Sequence, residues 1–403
     1  MLILSEIVNI CHALITFSIK IRKFNRVKIV LAPDKFKGAL TGNEFCDAAT
    51  EAIQKVMPMA EIVRLPLADG GDGTIEILAN HLQGELIKVT VSNPLFQPVE
   101  ATYLWIEAKK TAFIEMAEAS GMKLLKPEEH NCRKTTTYGT GELILKAIEK
   151  GAETIILGIG GSATNDCGIG MAKALGYTFL DTHGNEVKPI GENLKDIQYI
   201  DTSKVTPKLA SIQIQIACDV KNPLYGINGA AHVYGPQKGA TKQDVELLDR
   251  GLNHIATVIQ KQFNIDVQTI EGSGAAGGMG AGTIVFLKAT LTSGIELVKN
   301  LLHFDQRIQN ADWIITGEGK LDNQTFSGKT IAGIVEAAEK QNIPVAVFCG
   351  ATDIDIATQE KLGVSYVNAI PTVPCDLPYA MKHSYKNLVY AVYNFIKVVS
   401  HHS

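Results

Sequence analysis

The chain has 403 residues, 46% of them hydrophobic and 20% charged, with a formal net charge of −4. That length supports two or three domains with sizeable cores, and the near-neutral balance supplies no basic footprint for nucleic acid or an anionic membrane. Aromatic residues, at 6%, are too sparse for a base-stacking platform. Seven Cys are scattered singly without a C-x-x-C pair, which reads as reduced thiols in a cytoplasm and excludes a disulfide framework. The ten His form no H-E-x-x-H cluster, so a metal held by soft ligands is not expected. A hard cation on oxygen ligands stays open.

The first 26 residues stand apart. "IVNICHALITFSI" is an uncharged run of about thirteen residues, too short to cross a bilayer as a helix. Its positive charges follow the run instead of preceding it, unlike a secretory signal. We read residues 1–26 as an N-terminal extension, either an extra packed or frayed segment or a stretch upstream of a native start at Val27, where regular patterning begins.

"VKIVLAPD" is a continuous apolar run suited to a strand buried on both faces. Thr41 followed by Glu44 predicts a capping box, with Leu40 and Phe45 placed for a hydrophobic staple. Phe45, Ala49, Ala52, Ile53 and Val56 then trace one helical face, and Pro58 stops it. "EIVRLPLADGGDG" supplies a second strand and a polar loop, completing a βαβ opening. From Glu85 to Trp105 short alternating segments around Asn93-Pro94 predict antiparallel hairpins. Helix–strand units return with "ELILKAIEKG", "ETIILGIG" and "IQIQIACDV". A long helix follows, with Val245, Leu248, Leu252, Ile255 and Ile259 on one face. After Lys288 the first style resumes through "DWIITGEG", "KTIAGIVEAAEK" and "PVAVFCGA". The expected fold class is α/β with two α/β domains. A Rossmann-like parallel-sheet domain (27–85 and 288–403) is split by an inserted mixed α/β domain (86–287).

Ligands of open parallel sheets bind at the carboxyl ends of strands, and polar loops recur there. Asp34, Lys35 and Lys37 follow the first strand; Asp69 and Asp72 follow the second, in "ADGGDGT". Gly160, Gly161, Ser162 and Thr164 can cradle an oxyanion on backbone N–H groups and hydroxyls, or can form a tight turn and a helix cap. Asn165 and Asp166 suit a hard cation or a substrate hydroxyl. Asp69 and Asp72 suit Mg²⁺, or a turn held by Asx bonds. Asp219 in "CDVKNP" ends another strand, and Glu318 and Asp322 follow Trp313 with the same metal-or-cap ambiguity. "GAAGGMGAG" reads either as a close approach to a nucleotide or as an inter-domain hinge.

Two motifs are decoys. "FSGKT" lacks the first glycine of a P-loop, where Asn323 stands, although Lys329 at a helix start can still meet a phosphate. The first βα turn, "APDKFKG", is not the G-x-G-x-x-G of a dinucleotide-binding dehydrogenase, and its lysines suit an anionic substrate. No G-x-S-x-G elbow points to hydrolysis. Acidic loops, anion cradles and a few lysines together suit phosphoryl transfer.

Taken in order, "KIVLAPDKFKGAL", "PLADGGDGT", "GIGGSATNDCG", "CDVKNPLYGINGAAHVYGPQKGA", "GAAGGMGAG" and "TGEGKLDNQTFSGKT" resemble the bacterial glycerate kinase family over nearly the whole chain beyond residue 26. The resemblance implies ATP-dependent, Mg²⁺-assisted phosphorylation of D-glycerate to 2-phosphoglycerate or 3-phosphoglycerate in an inter-domain cleft. It also implies a start near Val27. Lys35 stands where that family often has a small hydroxyl residue, and Cys167 where Gly is common. From charge and position, Lys35 and Lys37 are expected on the glycerate carboxylate, and Asp69 and Asp72 on Mg²⁺. Gly160, Gly161, Ser162, Thr164 and Lys329 are expected on phosphates, with Asp219 or Asp166 accepting the hydroxyl proton. The rival from another class is a non-catalytic sensor of small hydroxy acids.

Overall fold

The computed structural model describes residues 27–34, 36, 38–71, 73–322 and 330–402. The extension expected over 1–26, together with Lys35, Lys37, Asp72 and Lys329, lies outside them. The chain divides into two compact units, one built from residues up to Leu67 and from Lys299 onward, the other from Ala68–Val298.

The first unit opens with β1 (Lys28–Leu31), α1 (Gly42–Val56) and β2 (Glu61–Arg64). The capping box forms: the Thr41 hydroxyl accepts from the Glu44 amide, and the Glu44 carboxylate accepts from the Thr41 amide at 2.8 Å. Phe45, Ala49, Ala52 and Ile53 turn inward as the 3.6-residue period requires.

The second unit begins with α2 (Thr74–Leu82), β3 (Glu85–Ser92), β4 (Pro98–Ile106) and β5 (Thr111–Glu115). It continues through α3 (Tyr138–Lys150), β6 (Thr154–Gly158), α4 (Ile169–Ala174) and the small antiparallel pair β7 (Thr178–Leu180) and β8 (Tyr199–Asp201). Then come β9 (Gln213–Ala217), α5 (Ala230–Tyr234), α6 (Lys242–Phe263), α7 (Ala275–Leu287) and β10 (Thr290–Thr292). Its main sheet has the order β10-β9-β6-β5-β4-β3, parallel from β10 to β5 and antiparallel from β5 to β3. The hairpin between Glu85 and Trp105 is present in full register. The five apolar positions of α6 are all buried in this unit's core. The unit starts before α2 and not after Glu85, because α2 packs on β4 and β5 and buried Glu115 accepts from the Gly73 and Ile75 amides at the helix start.

The helix α8 (Gly294–Leu301) crosses the boundary back into the first unit, which ends with β11 (Trp313–Leu321), α9 (Thr330–Glu339), β12 (Val345–Thr352), α10 (Ile356–Leu362), β13 (Tyr366–Ala369) and α11 (Leu377–His402). Its sheet is wholly parallel, ordered β13-β12-β11-β1-β2. That is the flavodoxin-like arrangement, whose direction of winding reverses between β1 and β11. Helices α1 and α11 pack on each other, and Phe395 stacks edge-on against Trp313 and Phe348. The molecule is therefore α/β throughout, with a Rossmann-like parallel sheet interrupted by an inserted mixed α/β unit.

Candidate active site

At the carboxyl ends of β6 and β9, where a parallel sheet presents its ligand positions, the second unit encloses a cavity of about 430 Å³. Asp69, Gly160, Gly161, Ser162, Asp219 and Lys238 all line it. Five of these were expected from sequence, and the structure brings them into one cavity although they come from separate loops.

Close packing of loops onto strand tips sets this geometry. A Cβ at Gly158, the last residue of β6, would stand 2.1 Å from the Gly70 carbonyl oxygen. One at Gly294 would stand 1.8 Å from the Asp69 carbonyl oxygen. Only glycine at both places lets Asp69 and Gly70 lie flush against the sheet end. Asp69 Oδ1 accepts from the Gly71 amide at 3.0 Å, so the Asx turn is real, and the residue still lines the cavity.

Asp219 is half-buried. Its Oδ1 accepts from the Ser293 hydroxyl at 2.8 Å and the Gly294 amide at 3.0 Å. Oδ2 receives no hydrogen bond from the described residues. Burial pushes this carboxyl up to about 6; the Ser293 and Gly294 donors oppose the rise, and the charge of Asp69 adds to it. Two acids facing one cavity repel, which favours a proton on the more buried of them.

Lys238 is the residue that sequence reading missed. It sits in the quoted "GPQKGA" but has no periodic or motif signature of its own. Its Nζ donates to Ser162 Oγ at 2.7 Å and to the Thr164 carbonyl at 2.8 Å, and only 3% of the residue is exposed. Burial lowers its ammonium to about 8.

Asp166 stands apart. It is fully buried and does not line the cavity. Oδ2 accepts from the Thr137 amide, the Thr137 hydroxyl and the Gly170 amide, and Oδ1 from the Gly168 amide. Burial raises its pKa against the pull of these donors. A carboxylate so enclosed ties the 135–140 segment to the start of α4; we correct its expected role as proton acceptor accordingly. Thr164 is likewise buried off the cavity, and reaches it only through its carbonyl and Lys238.

The "GAAGGMGAG" segment is no hinge between units. It lies wholly within the second unit, where Ala276, Gly277 and Gly278 adopt left-handed backbone angles inside α7. A Cβ at Gly277 would stand 2.0 Å from the Thr164 carbonyl oxygen, so the segment is clamped on the 164–168 loop. Ala276 lines the cavity wall.

In the first unit, Asp34 lies at the point where the winding reverses. Its amide donates to the Gly317 carbonyl at 2.9 Å, and its Oδ2 accepts from the Thr330 hydroxyl at 2.7 Å. Asp34 thereby links the tip of β1 to β11 and to the start of α9.

Among the described residues no group of three or more His, Cys, Asp or Glu stands close enough to hold a metal alone. Mg²⁺ ordinarily takes one or two carboxylates and completes its shell with water and phosphate. Asp69 fits that donor set as one such carboxylate. No described helix is long and apolar enough to cross a membrane.

The profile of the glycerate kinase family matches residues 29–400. A glycerate kinase of Bacillus cereus is 43% identical over 92% of this chain and 98% of its own length. The glycerate 2-kinase of Escherichia coli is 42% identical over 91% of this chain and 97% of its own. A solved structure described as glycerate kinase 2 of Salmonella typhimurium LT2 superposes with a TM-score of 0.84 at 40% identity, covering 93% of this chain and 99% of that one. On near-complete matches in sequence and in fold, the chain belongs to the glycerate kinase family and is an enzyme of the phosphotransferase class.

Proposed function

We propose that the protein transfers the terminal phosphoryl group of ATP to D-glycerate, giving 2-phosphoglycerate. The observation that carries this reading is the meeting of two carboxylates, one buried ammonium and a glycine–serine loop in a single cavity, on a chain of this family. Phosphoryl transfer asks the protein for placement and charge neutralisation more than for covalent chemistry.

Asp219 serves as the proton acceptor. Ser293 and Gly294 anchor one oxygen, leaving the other for the substrate hydroxyl. A carboxyl raised to about 6 is a stronger base than an ordinary aspartate and is still ionised at neutral pH. As the hydroxyl proton passes to Asp219, the hydroxyl oxygen bonds to the terminal phosphorus and the bond to the ADP oxygen breaks. Gly160, Gly161 and Ser162 offer donors to phosphate oxygens. Asp69, with Asp72, would hold Mg²⁺, which when bound neutralises phosphate charge. Lys35 and Lys37 would hold the glycerate carboxylate, and Lys329 a phosphate.

The test is incubation with D-glycerate and Mg-ATP under a coupled ADP readout, followed by phosphorus NMR of the product. Glycerate-dependent ADP formation and a 2-phosphoglycerate resonance are expected. Binding of glycerate without ADP formation would make the protein a hydroxy-acid sensor and end the kinase reading. A 3-phosphoglycerate product would overturn the regiochemistry alone.

A further inference from the structure

Lys238 presents an imbalance. A buried ammonium normally faces a carboxylate, because an uncompensated charge away from water is strongly unfavourable. Here its two hydrogen-bond acceptors, the Ser162 hydroxyl and the Thr164 carbonyl, are neutral. The neighbouring Asp166 carboxylate acts on the ammonium through its charge, but its hydrogen bonds come from Thr137, Gly168 and Gly170, and it makes none with Lys238. An ammonium has three N–H donors, and only two are engaged among the described residues. The same residue lines the cavity.

The position is built. Lys238 closes a short turn over Pro236–Lys238, and its carbonyl accepts from the Cys132 amide. The following Gly239 has φ of 84°, and a Cβ there would stand 2.1 Å from the His130 carbonyl oxygen. The backbone is thus pinned to the 130–132 segment, and the side chain is aimed from there beneath the 160–164 loop. Because Ser162 Oγ accepts from Lys238, its own O–H is left to donate, and donation from an ammonium polarises it for that purpose.

We propose that Lys238 and Ser162 form an oxyanion corner of this cavity, where a phosphate group of a polyphosphate ligand takes the third ammonium donor and the serine hydroxyl. The acceptor for the third N–H of the buried lysine is the ligand. The corner rests on the kinase reading for the identity of that ligand, ATP, but its anion chemistry stands on Lys238 itself.

Tripolyphosphate and Mg-ATP are the probes, with the full chain and the variants Lys238→Met and Lys238→Gln. Titration calorimetry should show tripolyphosphate binding to the wild type, weakened about 10- to 100-fold in both variants, as expected for loss of a charge-assisted bond. KM for Mg-ATP should rise or kcat fall by a similar factor, while KM for D-glycerate stays within threefold. Thermal unfolding separates this from a merely structural role. Without ligand, both variants should melt at or below the wild-type temperature, since Ser162 and the Thr164 carbonyl lose their partner. The upward shift that tripolyphosphate gives the wild type should vanish. Variants that keep the full shift would overturn the proposal whatever their ligand-free melting temperature, as would unaltered tripolyphosphate affinity. If the wild type forms no ADP but shows Lys238-dependent tripolyphosphate binding, the kinase reading fails and the corner stands.

Discussion

Replacing Asp219 with Asn should remove most of the turnover while making the protein more stable at neutral pH. The carboxyl rises from an ordinary 3.8 to about 6, equivalent to roughly 3 kcal/mol of preference for the protonated form. Because the side chain is only half-buried, solvent screening reduces the effect on stability to about 1–2 kcal/mol. The folded value lies above the unfolded one. The wild type therefore carries its full contribution below about 3.8 and loses it as pH rises through about 6. Asn is neutral throughout and keeps an oxygen for Ser293 and Gly294. At pH 7.5 the variant should melt about 2–6 °C above the wild type, and at pH 4 the two should nearly coincide. Turnover should fall by roughly 10²–10⁴. The wild-type kcat/KM should drop tenfold per pH unit below about 6, a limb the variant lacks. The assays are differential scanning fluorimetry across pH and glycerate-dependent ADP formation. Near-normal turnover in the variant, or a melting difference independent of pH, would refute the reasoning.

Asp166→Asn, by contrast, sets an amide N–H₂ against donors that now converge on a carboxylate. It should lower unfolding free energy in urea by about 1–3 kcal/mol, with turnover per folded molecule within a few fold of wild type. Gly158→Ala drives a methyl group into the Gly70 carbonyl and lifts Asp69 and Gly70 from the strand tips. The expected result is a loss of about 1–3 kcal/mol on calorimetry and more than tenfold of kcat/KM. Thr41→Ala removes the hydroxyl of the α1 capping box; unfolding free energy should fall by about 0.5–2 kcal/mol, with kinetic constants unchanged.

What could be read from the chain without coordinates was what is encoded locally. The Thr41–Glu44 box, the α6 face and the Glu85–Trp105 hairpin each depend on residues within a few turns of one another. Asp166 shows where local reading ends. A carboxylate after a glycine–serine loop can react or brace, and the deciding donor, Thr137, lies 29 residues earlier in the chain. Lys238 was hidden for the same reason: its burial is created by Ser162, 76 residues away. The glycines of "GAAGGMGAG" suggested freedom of movement, yet Gly277, Gly278 and Gly282 are there because Thr164 and Cys167 leave no room for a Cβ. Close backbone approach and flexibility leave the same trace in a sequence.

The split of the first sheet sets a timetable for biosynthesis. Strand β1 takes β2 on one side and β11 on the other, and the residues that supply β11 come after the entire Ala68–Val298 unit. At ribosomal rates of about 5–20 residues per second, tens of seconds separate the emergence of these partners. Through that interval the apolar edge of β1 and the buried face of α1 wait uncovered on a nascent chain, a template for mispairing with neighbours on the same polysome. The inserted unit has all its strands in hand and can close first. Demand for a holdase should therefore centre on the first forty or so described residues, ease when Trp313 to Leu321 covers the edge of β1, and end only when Leu377 to His402 reaches α1.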